Sequence, residues 1–589
     1  MRLGPGQIPT LLVEADGSEL TAPAMQRLTN LVVDNSLHKP DMFVITFADD
    51  EAEVMGATHL RVGSQITVTA NGWMNDEMLT LIEGEVTSIE AAYEGMASET
   101  IIRGYDKSHR LHRGSRTATY NNVKDSDIAQ TIANRLGCEI GTIDDSGTTL
   151  DYVAQFNQTD WEFLSARARE IGFEMSVTEG KFNFRRPISA STGPDSPDGG
   201  LPSSTQLTYG FDLRTFHPRV SAVGQPGDVA VRSWDPMQKQ VIQSSSSNSA
   251  SHFAVATDLS QLTESFGDAT HTIVDRPVGT QGEADRIAQA GAAQTGSSGF
   301  EGEGMVLGNP TLRPGVPVNI SGVVDPFNGR YTLTETRHVF QAGDYLTHFT
   351  VSGQRDRSLL GLTSSGGSHS RPSAGGAPIP GVVIAQVTDN NDPNNLGRVK
   401  LKFPWLSDDY ESDWCRYCQL GAGPSSGAHW WPEVNDEVLV AFEFGDVRRP
   451  YVVGNLHNGQ DTPNLGDSLF NGGQVARRGF VSRAGHMMVF FDDSSKMGVA
   501  LLTADSSCKV ALNQTSGEIH ISCSGQVTIE TDSGDVTVNS GGDVNVSSNG
   551  DVSVTASAGS ITLDGGSGVT IQSEAQVTIS APQVSLGGG

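Results

Sequence analysis

The stretch GDVTVNSGGDVNVSSNGDVSV, residues 534–554, repeats one phrase three times, with apolar couplets Val536/Val538, Val544/Val546 and Val552/Val554 eight residues apart. The same phrase extends in both directions, through Ile519/Ile521, Val527/Ile529, Ile561/Leu563, Val569/Ile571, Val577/Ile579 and Val584/Leu586. Two apolar residues at period two lie on one face of a short strand. Gly, Asn and Ser between the couplets supply the corners, and Gly permits positive-φ turns there. A short repeat of this kind signals a solenoid, because one unit cannot bury its face alone.

Burying two apolar side chains contributes roughly 3–6 kcal/mol. Ordering eight residues costs on the order of 8–16 kcal/mol of backbone entropy. Burial alone therefore loses, and strand ladders with stacked neighbours must make up the difference. One chain could coil into a three-sided β-helix, or three chains could wind together, each giving every third strand. The periodicity leaves both open, although winding together hides strand edges better. If the chains interleave, nine octads advancing by about 4.8 Å each give a shaft roughly 40 Å long. No Phe, Tyr or Trp follows Phe491 and no Lys or Arg follows Lys509. A polysaccharide-active β-helix would want aromatic platforms and clustered carboxylates; Asp535, Asp543 and Asp551 instead sit in one solvated register, outside the nonapeptide frame of calcium-binding repeats. An inert, stiff, acidic shaft is expected.

The whole chain of 589 residues carries 39 Lys and Arg against 69 Asp and Glu, a net charge of −30. This balance argues against nucleic acid and anionic membrane surfaces as partners. The N-terminus MRLGPGQIPTLLVEADG has no apolar run suited to a signal peptide, and no segment approaches the length of a membrane span. Five scattered cysteines fit a reducing compartment, so synthesis in the cytoplasm is expected. Cys415 and Cys418 form a lone CxxC, and His109 and His112 an HxxH with no third ligand nearby; both read as structural, with no metal or cofactor expected. Ser425, Ser426 and His429 lack a GxSxG elbow and an acid partner. Trp430 and Trp431 are expected to pack under a barrel, and the basic turn at 107–113 and the Arg448–Arg449 pair to form internal ion pairs.

After the Gly/Ser/Pro-rich stretch 364–381, GVVIAQVTDNNDPNNLGRVKLKFPW (381–405) reads as two strands around a polar loop. VNDEVLVAFEFGDVRRPYVVGNLHNG (434–459) reads as two more, split by FGDVRRP. Short strands over about 80 residues suit an OB-like barrel. NNLGRVKLKFPW and the second stretch closely resemble the OB-fold module of VgrG-type spike proteins, found in type VI secretion, contractile phage tails and extracellular contractile injection systems. In that family the needle is an intertwined homotrimer, so the resemblance implies that arrangement here. About 25 residues separate the barrel from strand-like HMMVFFDD (486–493), too few for the lysozyme domain of some phage spikes. A fused effector would place a further domain beyond Gly589, and none is expected.

Residues 1–365 read as alternating strands with a few helices. DSDIAQTIANRLG (125–137) aligns Ile128, Ile132 and Leu136 and stops at Gly137. TDWEFLSARAREIG (159–172) opens with a Thr159/Glu162 capping box and closes on Gly172. IIRGYDKSHRLHRGSRTATYNNVKDSDIAQTIANRLG (101–137) and NQTDWEFLSARAREIGFEM (157–175) resemble the hub of phage late-control D type. VVDNSLHKPDMFVITFADD (32–50) sits closer to hubs of extracellular injection particles and some phages than to those of type VI secretion.

The fold expected is mainly β. A hub of two tube-like β-barrels with accessory helices spans 1–363, a linker 364–380, an OB-fold barrel 381–462, a neck 463–485, and an intertwined trimeric β-helix needle 486–589. The needle core comprises Val527, Ile529, Val536, Val538, Val544, Val546, Val552, Val554, Ile561, Leu563, Val569, Ile571, Val577 and Ile579. By resemblance, three chains present six barrel units to a sixfold Hcp-like inner tube, meet baseplate wedge proteins, and offer a blunt end at Val584, Leu586, Gly587, Gly588 and Gly589 to a PAAR-like tip protein. The function implied is the central spike of a contractile particle, assembled in the cytoplasm and then released or delivered into a target cell. It would have no catalytic residue and would meet the target membrane only by mechanical penetration. The alternative is a phage tail spike, adhesin or polysaccharide-active β-helical protein.

Overall fold

The computed structural model describes residues 9–587 apart from 75, 96, 199–201, 236, 256–265, 275–277, 353–378, 380 and 467–468. The expected linker therefore lies outside the described residues except for Ile379, as do Gly588 and Gly589. The chain forms two compact units, residues 1–462 and 463–589.

The first unit is organised by one antiparallel sheet of 11 strands. Its N-terminal half is built from Leu28–Ser36, Met42–Ala48, Ala97–Asp106, Leu79–Glu94, Gln65–Ala70, Leu11–Ala15 and Ser18–Glu19, in that spatial order. The other half runs Leu213–Val220, Phe300–Leu307, Asp344–Val351 and Glu335–Gln341. The halves join where Val33 faces His338 and Leu31 faces Phe340, a pairing between segments about 300 residues apart. Alternation decides which face is inside: Phe43, Ile45 and Phe47, and Ile66, Val68 and Ala70, are all fully or almost fully buried.

Each half has its own apolar core, one around Phe43 and Ile45, the other around Phe300, Tyr331 and Phe349. A separate four-stranded sheet, Gln206–Thr208, Pro317–Ser321, Gly329–Thr332 and Phe253–Val255, lines the second. The two tube-like barrels expected are here two half-barrels sharing a continuous sheet. Both use the same device, a phenylalanine lying across a directly opposed glycine: Phe43 on Gly104, and Phe349 on Gly304. A Cβ on either glycine would overlap the ring.

Between the halves lies an α/β insertion whose core gathers Ile128, Ile132, Phe163, Leu164, Phe182 and Phe184. The helix Asp125–Leu136 stops at Gly137 with φ 71°. The helix Asp160–Ile171 has its capping box: Glu162 N donates to Thr159 Oγ1 at 3.2 Å, and Thr159 N to Glu162 Oε2 at 2.9 Å. A third long helix, Gln281–Ser297, was not expected; it buries Ala284, Ile287, Ala288 and Ala292 against Val229, Val231 and Ile273 of a three-stranded sheet.

The barrel sheet runs Lys400–Lys402, Val382–Asp389, Glu437–Phe442, Pro450–Asn455, Arg416–Tyr417. Its strands fall where the sequence places them. The polar loop is pinned by Asp392, which accepts from the backbone of Asn394, Leu396 and Arg398 and from the Arg398 guanidinium at 2.7 and 3.0 Å. Gly397 has φ +70°, and the Trp431 indole lies where its Cβ would be. These contacts account for DPNNLGR. The barrel is not a body apart: Ala154 and Phe156 of Leu150–Gln158 enter its core beside Phe403, and Tyr152 donates to the Tyr410 hydroxyl at 2.8 Å.

In the second unit, a five-stranded antiparallel meander runs Arg477–Val481, Met487–Asp493, Lys496–Leu502, Cys508–Asn513 and Glu518–Cys523. This corrects two expectations. Strands begin ahead of 486, first as the short pair Phe470–Asn471 and Gln474–Val475 and then at Arg477, and Ile519/Ile521 belongs to the last meander strand rather than to the repeat. The reason is local: connections such as Ser494–Ser495 are too short for anything but antiparallel return. From 525 to 587 no residue joins a backbone ladder, so the coil of one chain upon itself is not formed. Among the described residues no closed β-helix forms within the single chain.

Candidate interaction surface and buried polar junctions

The repeat leaves its apolar couplets in the open. Val527, Val536, Val544, Val552, Ile561, Val569, Val577 and Val584 are 51–62% exposed. Their partners Ile529, Val538, Val546, Val554, Leu563, Ile571, Ile579 and Leu586 are 66–90% exposed. Apolar side chains exposed at this regular spacing mark an interaction surface. Its backbone is equally unpartnered: among the described residues of 525–587, the only backbone–backbone hydrogen bond is the turn from Gly568 N to Gly565 O. The exposed face of the meander adds Leu501, Val510, Leu512, Ile519 and Ile521.

In the first unit, a chain of buried charges ties the α/β insertion to the barrel. Arg167 donates to both oxygens of Asp125, at 2.6 and 2.9 Å, and to Glu170 at 2.7 Å. Glu170 also faces Arg448 at 3.9 Å, and Arg448 grips Asp446 through Nη2 at 2.8 Å and Nε at 3.1 Å. These side chains are at most 12% exposed. Burial pulls the guanidinium of Arg448 down and Asp446 with Glu170 pushes it up further, so it stays charged. Burial raises Asp446, but Arg448 more than offsets it and holds the carboxyl below its ordinary value. The sequence marked Arg448 as an internal pair; its distant partner Glu170 carried no signal.

The basic turn behaves likewise. His109 Nε2 lies 3.0 Å from Glu85 Oε2, and Arg110 Nε donates to the same oxygen at 2.9 Å. Burial raises Glu85, but Gln65, His109 and Arg110 bring it down to about 2. His112 is turned away, stacked on Trp161 at 4.9 Å. Nearby Asp41 and Asp106 are buried together, Asp41 N donating to Asp106 Oδ2 at 3.1 Å. Burial pushes both carboxyls up, Asp106 to about 6. Neither was singled out in the sequence.

Cys415 sits in the barrel core, its thiol pushed by burial up to about 12, while Cys418 is exposed. Among the described residues no hydrogen bond links Ser425 or Ser426 to His429, whose ring stacks on Trp431 at 5.3 Å. Trp430 and Trp431 do not pack beneath the barrel: they are 48% and 45% exposed, and the Trp431 indole lies over the loop at Gly397. Among the described residues no three His, Cys, Asp or Glu side chains converge as a metal site, and no helix is long and apolar enough to cross a membrane.

Residues 6–342 match the family described as Alg8 N-terminal domain, and residues 383–457 the type VI secretion system/phage-baseplate injector OB domain. The spike protein VgrG1a of the Pseudomonas aeruginosa type VI secretion system is 33% identical over 89 residues, 14% of this chain and 14% of that protein. VgrG3 of Vibrio cholerae is 37% identical over 73 residues, 12% of this chain and 7% of that protein. The matched segment is thus a small part of these curated relatives. A chain of the Francisella PdpA–VgrG complex, at 9% identity and a TM-score of 0.50, covers 87% of this chain and 88% of its own length, a likeness of fold. With its first match spanning more than half of the 589 residues, this chain belongs to the Alg8 N-terminal-domain family; it also carries the secretion-system and phage-baseplate injector OB domain, and over that part it resembles VgrG-type spike proteins.

Proposed function

We propose that three copies of this chain assemble into the central spike of a contractile injection machine. The couplets between Val527 and Leu586 interlock among the copies as a triple-stranded needle, and the hub with its barrel forms the base. The observation that carries this reading is that stripe. It offers sixteen apolar side chains, each more than half exposed, on a backbone without a ladder of its own. A second and third copy supply both missing elements at once, burying the stripe and pairing the strands. The work is mechanical: sheath contraction drives the needle, and ladder bonds shared between chains keep the shaft from opening strand by strand.

The paired half-barrels, each with its Phe-over-Gly contact, support the hub as two related units. Three chains then present six of them to a sixfold Hcp-like tube, with wedge proteins around the base. A PAAR-like tip protein takes the end formed by Val584 and Leu586, the latter 90% exposed, with Gly587 to Gly589. The chain acts without catalysis, and the particle is assembled in the cytoplasm. The solution mass of the purified chain tests the reading. It is expected near three times 62.4 kDa, and a monodisperse monomer would refute it.

A further inference from the structure

Cys508 and Cys523 face each other across the last hairpin of the meander, joining Cys508–Asn513 to Glu518–Cys523. Ser524 N donates to Ser507 O at 2.9 Å, so Ser507 and Ser524 form a hydrogen-bonded pair. The next pair along, Cys508 and Cys523, is therefore of the non-hydrogen-bonded kind, where opposed Cβ atoms come closest. That spacing, about 4.5 Å between Cα atoms, lies inside the range a disulfide spans. The two Sγ atoms are already 3.0 Å apart, and both residues are half-buried rather than sealed in the core.

The two thiols are not equivalent. Cys523 Sγ accepts from Gly525 N at 3.3 Å and lies in contact with the Cys508 thiol. Hydrogen bonding by Cys508, then by Gly525, pulls Cys523 below the ordinary thiol value, while the same contact pushes Cys508 up. Cys523 is the nucleophile of the pair and Cys508 the resolving thiol. Of the other cysteines, Cys138 and Cys415 are buried and Cys418 is exposed.

We propose that Cys508 and Cys523 are a disulfide-forming pair, open where thiols are kept reduced and closed by exchange with a small-molecule or protein disulfide. The Cys523 thiolate attacks one sulfur of the oxidant, forming a mixed disulfide and releasing one oxidant thiolate. Cys508 gives its proton to solvent and attacks Cys523 Sγ, releasing the second. Two protein thiols are oxidised and one external disulfide is reduced to two thiols. The new bond fixes the last meander strand to its neighbour just before 525, where ladder pairing within the chain stops. This clasp stands on hairpin geometry within one chain and is independent of how many chains assemble.

The test treats the full-length chain with oxidised glutathione, alkylates the remaining thiols with iodoacetamide, and maps peptides without reduction. Glutathione on exposed Cys418 certifies that the oxidant acted. The expected result is a Cys508–Cys523 cross-link in most of the chains, with amide exchange in 518–523 slowed about tenfold against the reduced chain. Cys508→Ser is expected to leave Cys523 as a stable glutathione adduct. Mixing 15N-labelled and unlabelled chains before oxidation distinguishes links within a chain from links between chains. Alkylation of both Cys508 and Cys523 while Cys418 carries glutathione would overturn the proposal, and so would a cross-link found only between differently labelled chains.

Discussion

Replacing Arg448 by Met leaves its size nearly unchanged and removes the charge that lies between Asp446 and Glu170. Glu170 keeps Arg167 at 2.7 Å, so the orphan is Asp446, whose side chain is 2% exposed. It loses the Nη2 contact at 2.8 Å and the Nε contacts at 3.1 and 3.2 Å, and retains the backbone N–H of residue 448 at 3.0 Å. Breaking a buried pair on one side costs about 3–5 kcal/mol. The retained backbone bond places the expected loss near the lower figure, about 3 kcal/mol, or more than a hundredfold in the folding equilibrium constant. Removing both charges, as Arg448→Met with Asp446→Leu, should recover most of that loss, because no buried charge is then left unpaired. Guanidinium titration followed by tryptophan fluorescence reads it, through Trp161, Trp405, Trp414 and Trp431 of the first unit. A loss below about 1 kcal/mol, or a double variant weaker than the single one, would refute the assignment of the junction as a closed charge network.

Serine at both Val544 and Val546 should be almost silent in a lone chain, within about 0.5 kcal/mol, since these side chains are 62% and 76% exposed. In an interlocked trimer the same change removes six buried valines, about 9–18 kcal/mol in all, and the temperature at which trimers dissociate in detergent should fall sharply. An unchanged dissociation temperature would count against the interlock. Asp106, raised by burial to about 6, gives stability that is fully present below the ordinary carboxyl value of 3.8 and is lost as pH rises through about 6. Asp106→Asn should flatten the decline in denaturant midpoint between pH 4 and 7, and an unaltered slope would exclude this origin. Gly304→Ala should cost about 1–3 kcal/mol by thermal melting, because its Cβ enters the Phe349 ring, whereas Gly302→Ala, with its nearest neighbour at 3.1 Å, should cost less. Equal losses at the two positions would remove the special place given to the Phe-over-Gly contact.

What could be read from the sequence was local. The Thr159/Glu162 capping box and the stop at Gly137 need only neighbours in the chain, and both stand as expected. The helix Gln281–Ser297 was missed because its buried stripe is mostly alanine, too small to register as an apolar period. Ile519/Ile521 carries the same period-two signature as the couplets after it, and only the short turn at 514–517 makes it part of a hairpin. The seam between Leu28–Ser36 and Glu335–Gln341 joins segments whose intervening 300 residues hide the pairing. Trp430 and Trp431 were expected under the barrel; both rings are half-exposed, and Trp431 covers the glycine loop. The interaction stripe was legible as couplets. That no described residue of the chain forms a ladder with it follows only from the structure, since an octad reads the same whether its neighbour is the next turn or another copy.

The most direct test of the central claim is a density map of the purified full-length protein at a resolution that separates strands about 4.8 Å apart along residues 525–587. The account predicts three polypeptides in cross-section, with successive rungs contributed by different copies and the valine couplets turned inward toward a common axis. A single polypeptide wound upon itself, or a lone extended tail with its couplets facing solvent, would contradict it.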